Sequence, residues 1–209
     1  MIYPVSRSTL TLLALYCATS SVNAFKLEEI IITAQKREQS SQDVGIATTV
    51  FSDKQIKSLG VEQSIDIGRY APSVSISGSF AGQMSQFSIR GVTQNDFNDH
   101  VEAPIAVYID DGYVAMQQGQ MFSTFDVARV EVLKGPQGTL FGRNATGGLI
   151  HFVSRRPTTA VEAHAEVGYG AYDHVRFEGA VSGPLAEGIN GRLSGMFNRH
   201  REVMDNHYP

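Results

Sequence analysis

From Val161 onward the chain alternates strictly, with Val161, Ala163, Ala165, Val167 and Tyr169 on one face of an extended strand and Glu162, His164, Glu166, Gly168 and Gly170 on the other. A second run sets Val175, Phe177, Gly179 and Val181 against Arg176, Glu178, Ala180 and Ser182. A third has Leu193, Gly195 and Phe197 on one side, with Arg192, Ser194, Asn198 and His200 disposed less regularly around them. The Gly183-Pro184 step is expected to end the second strand in a turn. Runs of about ten residues with aromatics (Tyr169, Tyr172) near a strand end read as transmembrane β-strands, apolar side to lipid and polar side to lumen. A soluble antiparallel sheet with one wet face shows the same period, so the pattern alone leaves both open.

Upstream the period is mixed. Val44 to Phe51 is β-rich, and Ser52 with Gln55 three residues on forms a capping box that starts a helix ending at Gly60. A second short helix is predicted over Gln63 to Tyr70, stopped by Pro72. Strands are predicted at Val74 to Ser77, Gln86 to Arg90, Ile105 to Ile109, Arg129 to Leu133 and Leu149 to Ser154. Helices and strands without βαβ alternation predict a small α+β domain. The run from Gln35 to Asp43 is too hydrophilic to pack and is expected to be mobile.

The N-terminus changes the cellular picture. Arg7, the apolar run Leu10 to Ala18 and the small-residue site Val22-Asn-Ala24 read as a secretory signal cleaved near Ala24. Ten or so apolar residues are too few to cross about 30 Å of hydrocarbon. The one cysteine of the 209 residues, Cys17, lies in that segment, so the mature chain is expected to lack thiols and disulfides. A net charge of -4 with interspersed signs excludes a nucleic-acid partner on electrostatic grounds.

Enzyme chemistry finds no support in the motifs. Gly135-Pro-Gln-Gly138 with Gly142 lacks the Gly-Lys-Ser/Thr ending of a phosphate loop, and Lys134 precedes the glycine. There is no nucleophile elbow, His-Glu-x-x-His pair or dinucleotide fingerprint. The acidic loop with Asp96, Asp99, His100 and Glu102 could offer carboxylate oxygens to a hard cation, but the spacing fits no EF-hand and reads as a flexible loop. No catalytic residue, metal site or cofactor is expected.

Four ordered motifs remain: Glu28-Glu-Ile-Ile-Ile-Thr-Ala34, Phe87-Ser-Ile-Arg-Gly91, Ile105-Ala-Val-Tyr-Ile-Asp-Asp-Gly112 and Arg129-Val-Glu-Val-Leu-Lys-Gly-Pro-Gln-Gly138 running on to Gly147-Gly148. Together they resemble the plug domain of TonB-dependent outer-membrane receptors. The resemblance implies a signal peptide over 1–24, a TonB box and linker over 25–43, an α+β plug of small mixed sheet and short helices over 44–157, and the first antiparallel strands of a transmembrane β-barrel over 158–209. A closed 22-stranded barrel would need roughly 400 further residues, so a truncated receptor is expected.

By the same resemblance Glu29, Ile30, Ile31, Ile32, Thr33 and Ala34 would be the TonB box, an extended segment able to add a strand to an inner-membrane energy coupler. The alternative makes Ile30 to Ile32 the first core strand. Arg90, Arg129 and Glu131 would lock plug to barrel, or else be ordinary surface charge. Gln83, Asn95, Asp96, Asn98, Asp99, Met116, Gln117, Gln118 and Gln120 would contact substrate from apical loops. The implied partners are a TonB-type coupler, a ferric siderophore or other bulky nutrient, and outer-membrane lipid. The implied location is the outer membrane of a Gram-negative cell. The competing readings are a periplasmic ligand-binding or regulatory module and a non-functional remnant.

Overall fold

The computed structural model describes residues 31–32, 36, 39–40, 44–79, 84–94, 96, 98 and 101–201. At its centre is a five-stranded mixed sheet ordered β3-β8-β9-β6-β7, from Thr48–Ser52 (β3), Ile105–Ile109 (β6), Gly112–Tyr113 (β7), Val127–Lys134 (β8) and Gly148–Ser154 (β9). All its pairings are antiparallel except β6 with β9. Strand β9 thus lies between two strands that precede it in the chain.

Both faces of this sheet are covered, which is why its central strands read as nearly continuous apolar runs. Period-two alternation sends Val130, Val132, Ile150, Phe152, Ile105 and Val107 to the first face. There they meet Ile56 of helix α1 (Asp53–Ser58), Ile67 of helix α2 (Ile67–Tyr70), and Val74, Phe87 and Ile89 of a hairpin formed by β4 (Val74–Ser79) and β5 (Met84–Ile89). Ala106, Leu133 and Leu149 point to the second face, beneath Phe141 of helix α3 (Gly138–Phe141) and Ala145.

Helix α1 starts as its sequence dictates. Ser52 caps it, Gln55 closes the reciprocal capping box, and Gly60 with φ +65° turns the chain away. The segment predicted as one helix over Gln63 to Tyr70 divides into a 3-10 turn, Ser64–Asp66, and the short α2. Asp66 accepts the backbone N–H groups of Glu62 and Gln63, which tightens that first turn.

Two other expectations need correction. The polar run Gln35 to Asp43 was expected to stay unpacked, yet Gln39–Ser40 forms strand β2, paired antiparallel with β1 (Ile31–Ile32). Backbone pairing needs no apolar side chains from β2, so period-based reasoning overlooks it. Gly183-Pro184 does not end a strand, because β11 (His174–Ala186) runs through it and turns at Gly188, φ +75°. Its neighbour β10 (Glu162–Gly170) stops opposite Ser182, and a register shift falls between Pro184 and Ala186. Proline is tolerated at such an unpaired edge and bulge.

Strands β10, β11 and β12 (Ile189–Arg199) form a separate antiparallel sheet. Cross-strand register aligns Val167 with Phe177 and Phe197, and Ala163 with Val181 and Leu193. This apolar face looks outward, with Val167, Tyr169 and Leu193 each more than 70% exposed. The opposite face, with Glu178 and Ser182 buried, is seated against the central body. Such a sheet is inverted relative to a soluble one, as a lipid-facing strand must be. No helix among the described residues is long and apolar enough to cross a membrane, which says nothing about strands.

Candidate functional site

The residues with functional chemistry gather in four places. The first is the N-terminal ribbon. Ile32 has no exposed surface and packs among Ala106, Leu133, Phe141, Ala145 and Leu149 on the second face of the sheet. The Lys36 ammonium lies 5.6 Å from the centre of the Phe141 ring, close enough for a cation–π contact. Glu29, Ile30, Thr33 and Ala34 lie outside the described residues, as do residues 1–24, and of Ile31 only the backbone pairing is described.

The second place joins Arg90 to a residue that sequence reasoning passed over. Ile89 and Val92 exchange backbone hydrogen bonds around Arg90 and Gly91, whose φ values of +54° and +80° make a tight hairpin turn rather than the predicted strand end. Arg90 is exposed at its tip, and its guanidinium lies 3.7 Å from where a side chain at Gly135 would begin. Lys134 is beside it. Burial, followed by the Arg90 charge, pushes the Lys134 amine below its ordinary value. Two cations side by side are mutually unfavourable. Arg129 and Glu131, by contrast, pair with each other at 2.7 Å, Glu131 wholly buried and His151 Nδ1 3.8 Å from its second oxygen. The structure therefore separates Arg90 from the other two predicted lock residues.

The third place is the set of loops assigned to substrate. Asp96, Asn98, Met116 and Gln118 are exposed. Gln117 and Gln120 turn inward and are buried, Gln117 Oε1 accepting from Gln86 Nε2 at 3.1 Å and the Gln120 carbonyl accepting from Ser64 Oγ. In a 3-10 turn, Gln117–Gln120, residues three apart share a side, and here that side is the interior. Gln83, Asn95 and Asp99 lie outside the described residues. Nearby, Arg143 holds Glu102 at 3.0 Å and keeps its carboxyl below the usual range.

The fourth place is a charged seam between the central body and β10–β12. Arg192 grips Asp126 with two N–H groups, one at 2.7 Å, and both side chains are about nine-tenths buried. Burial alone would raise the Asp126 carboxyl, but hydrogen bonds from Arg192 and Ser194 outweigh it and hold it low. Arg155 reaches Asp53 at 2.6 Å and Asp126 at 4.0 Å. Lys57 contacts Glu166 at 2.6 Å and Glu178 at 3.7 Å, while Arg176 pairs with Glu178 at 3.1 Å. Alternation on β11 and β12 could have flagged Arg176 and Arg192 as lumen-facing. Nothing local marks their partners.

Residues 40–149 match the family model described as "TonB-dependent Receptor Plug Domain". The chain is 29% identical over 205 residues to the pesticin receptor of Yersinia pestis, covering 98% of itself and 29% of that protein. It is 29% identical over 180 residues to the ferripyoverdine receptor of Pseudomonas aeruginosa, covering 85% of itself and 21% of that receptor. The crystal structure of the ferric yersiniabactin uptake receptor from Yersinia pestis superposes with a TM-score of 0.64 at 30% identity, over 72% of this chain and 24% of that one. The chain thus spans less than a third of the length of these relatives.

Proposed function

This chain belongs to the TonB-dependent receptor plug-domain family, and from that premise we propose that it is the plug and first wall strands of an outer-membrane transporter that imports an iron-loaded siderophore or similar bulky nutrient. The family is one of receptors, not enzymes. The observation that carries the reading is the inverted sheet β10–β12, whose apolar face is exposed while its polar face is seated on an α+β body. Two of the relatives are described as receptors of ferric ligands, which favours iron-loaded cargo.

Cargo would be met by Asp96, Asn98, Met116 and Gln118, with the inward Gln117 and Gln120 holding the turn that presents Met116 and Gln118. The segment Glu29 to Ala34 would pair with the inner-membrane coupler, and traction there would draw Ile32 from its pocket. The Arg90 and Lys134 corner would lock onto wall carboxylates beyond β12. The domain plan is a signal over 1–24, box and linker over 25–43, plug over 44–157 and wall strands from 158, in the outer membrane of a Gram-negative cell.

The test is uptake of radiolabelled ferric cargo by cells carrying the receptor with Ile31→Pro, which removes a strand donor from the box. Energised uptake is expected to stop while surface binding of cargo and receptor abundance stay unchanged. Normal uptake would overturn the coupling assignment.

A further inference from the structure

The turn that carries Met116 and Gln118 outward is fastened on its inner side by amides that do not satisfy one another. Alternation along β5 sends Phe87 and Ile89 into the core on the first face of the sheet and leaves Gln86 facing the other way, onto the 3-10 turn Gln117–Gln120. Gln86 and Gln120 are each 1% exposed and Gln117 5%. Gln86 Nε2 donates to Gln117 Oε1 at 3.1 Å and to the Asp96 carbonyl at 3.5 Å. A carbonyl only accepts, so the Asp96 contact fixes which end of the Gln86 amide is nitrogen, and with it which end of Gln117 is oxygen.

That assignment leaves three polar atoms over. Gln86 Oε1, Gln117 Nε2 and Gln120 Oε1 are closed off from solvent and have no hydrogen-bond partner among the described residues. They are half of the six buried side-chain nitrogen and oxygen atoms in that condition, so the shortfall is concentrated at this turn. Gln86 and Gln117 are already joined through their other atoms, yet the remaining acceptor of one and the remaining donor of the other stay out of hydrogen-bond reach. Complementary polar groups held apart in this way are the usual setting of a bridging water. Gln120 lies on the same side of the turn, since residues three apart in a 3-10 turn eclipse.

The three atoms also narrow the chemistry of whatever joins them. A metal ion or an ammonium group would suit the two oxygens but confront the Gln117 N–H groups. An anion would suit those N–H groups and confront the oxygens. A neutral molecule that both donates and accepts meets all three, and the absence of solvent-accessible surface on these atoms limits it to the smallest such molecule. Internal waters in folded proteins typically make about three hydrogen bonds, the number on offer here.

We propose that one resident water is a structural ligand at this site, accepting from Gln117 Nε2 and donating to Gln86 Oε1 and Gln120 Oε1, so that β5 and the turn are joined through it as well as through the amide pair. The other tethers of the turn bypass it: Ser64 Oγ donates to the Gln120 carbonyl and accepts from the Phe122 N–H at 3.1 Å, and the Ser64 N–H donates to the Phe122 carbonyl at 2.9 Å. Those bonds secure the exit of the turn. The water secures the entry, beside Met116. Neither cargo nor coupler takes part, so the site stands or falls apart from the transport reading.

The experiment compares the 209-residue chain in detergent micelles with Gln120→Met, which keeps the length of the side chain, removes one acceptor and leaves the Gln120 backbone carbonyl on Ser64. The sign of the effect decides. With a bridging water the variant strips it of a partner, and amide exchange over 116–121 should rise roughly five- to tenfold, the worth of one net hydrogen bond, while β8 and β9 stay as they were. Were Gln120 Oε1 simply unpaired, its removal would relieve a buried orphan; exchange that slowed or stayed the same would therefore overturn the proposal. A packing defect would also speed exchange, so the second readout is the water itself. In the unaltered chain labelled with 15N-glutamine, the Gln117 side-chain amide should show magnetic cross-relaxation from a water that tumbles with the protein, and the signal should weaken in Gln120→Met. Its absence from the unaltered chain would overturn the proposal whatever the exchange rates.

Discussion

Truncating Ile32 to alanine tests whether the N-terminal ribbon is docked by side-chain packing or only by its backbone. Three carbons leave a site with no exposed surface, bounded by Ala106, Leu133, Phe141, Ala145 and Leu149. At about 0.8 kcal/mol per buried carbon the transfer loss is about 2.4 kcal/mol, and incomplete collapse of the pocket brings the total to about 2–4 kcal/mol. The ribbon itself has two residues per strand. An isolated two-stranded hairpin is marginal in water, so its docking rests mainly on this pocket. The loss should therefore appear as local undocking. Amide exchange in 31–40 should rise on the order of 30-fold or more, since each 1.4 kcal/mol is tenfold. Protection of β8 and β9 should be nearly unchanged, because once the ribbon is free the variant adds no further cost to the sheet. Exchange–mass spectrometry reads both segments in one experiment. Unchanged protection over 31–40 would refute the packing argument, and equal loosening of β8 would show that the ribbon and sheet form a single cooperative unit.

Gly148→Ala should be among the most damaging single substitutions, because φ is +144° and an added Cβ would stand 2.4 Å from the Leu133 carbonyl oxygen inside the β8–β9–β6 ladder; a loss on the order of 3–5 kcal/mol is expected in urea unfolding, and a loss under about 1 kcal/mol would contradict it. Lys134→Gln should stabilise the isolated chain: its amine is depressed in the fold, so the unfolded chain binds the proton more tightly and the native lysine costs stability at every pH below that folded value. A melting temperature at pH 7 that falls in this variant would refute the cationic-corner argument. Asp126 has the opposite sign, since its carboxyl is depressed in the fold; its contribution is complete above the ordinary aspartate value of about 3.9 and is lost as pH falls through the lower folded value. Exchange in 122–128 should accordingly rise in acid, and Asp126→Asn should abolish that pH response.

What could be read in advance follows the reach of each interaction. Ser52 with Gln55, the strand at Ile105–Ile109 and the lipid-side alternation of β10–β12 are set by neighbours a few residues apart, and all three stand in the structure. The seam was illegible because its partners are remote, Lys57 and Glu166 being 109 residues apart and Asp126 and Arg192 66. Gln117 and Gln120 differ in another way: amide side chains suggest surface, yet both are buried, Gln117 Oε1 accepting from Gln86 while Gln117 Nε2 and Gln120 Oε1 have no hydrogen-bond partner among the described residues. Arg129 and Glu131, two residues apart on one strand, share a face and pair with each other.

The sheet order sets a timetable for folding. Strand β9 separates β6 from β8, so the parallel β6–β9 ladder, which pairs Ile105 with Gly148, cannot form until residue 148 and beyond have emerged. Until then Val107, Val130 and Val132 lack their central neighbours Ile150 and Phe152, and the emerging chain carries unpaired apolar strands. The first wall strand begins only eight residues after β9 ends, at Glu162. The body thus completes its core at nearly the moment its wall begins to appear, and the two halves of the molecule are left exposed together until then.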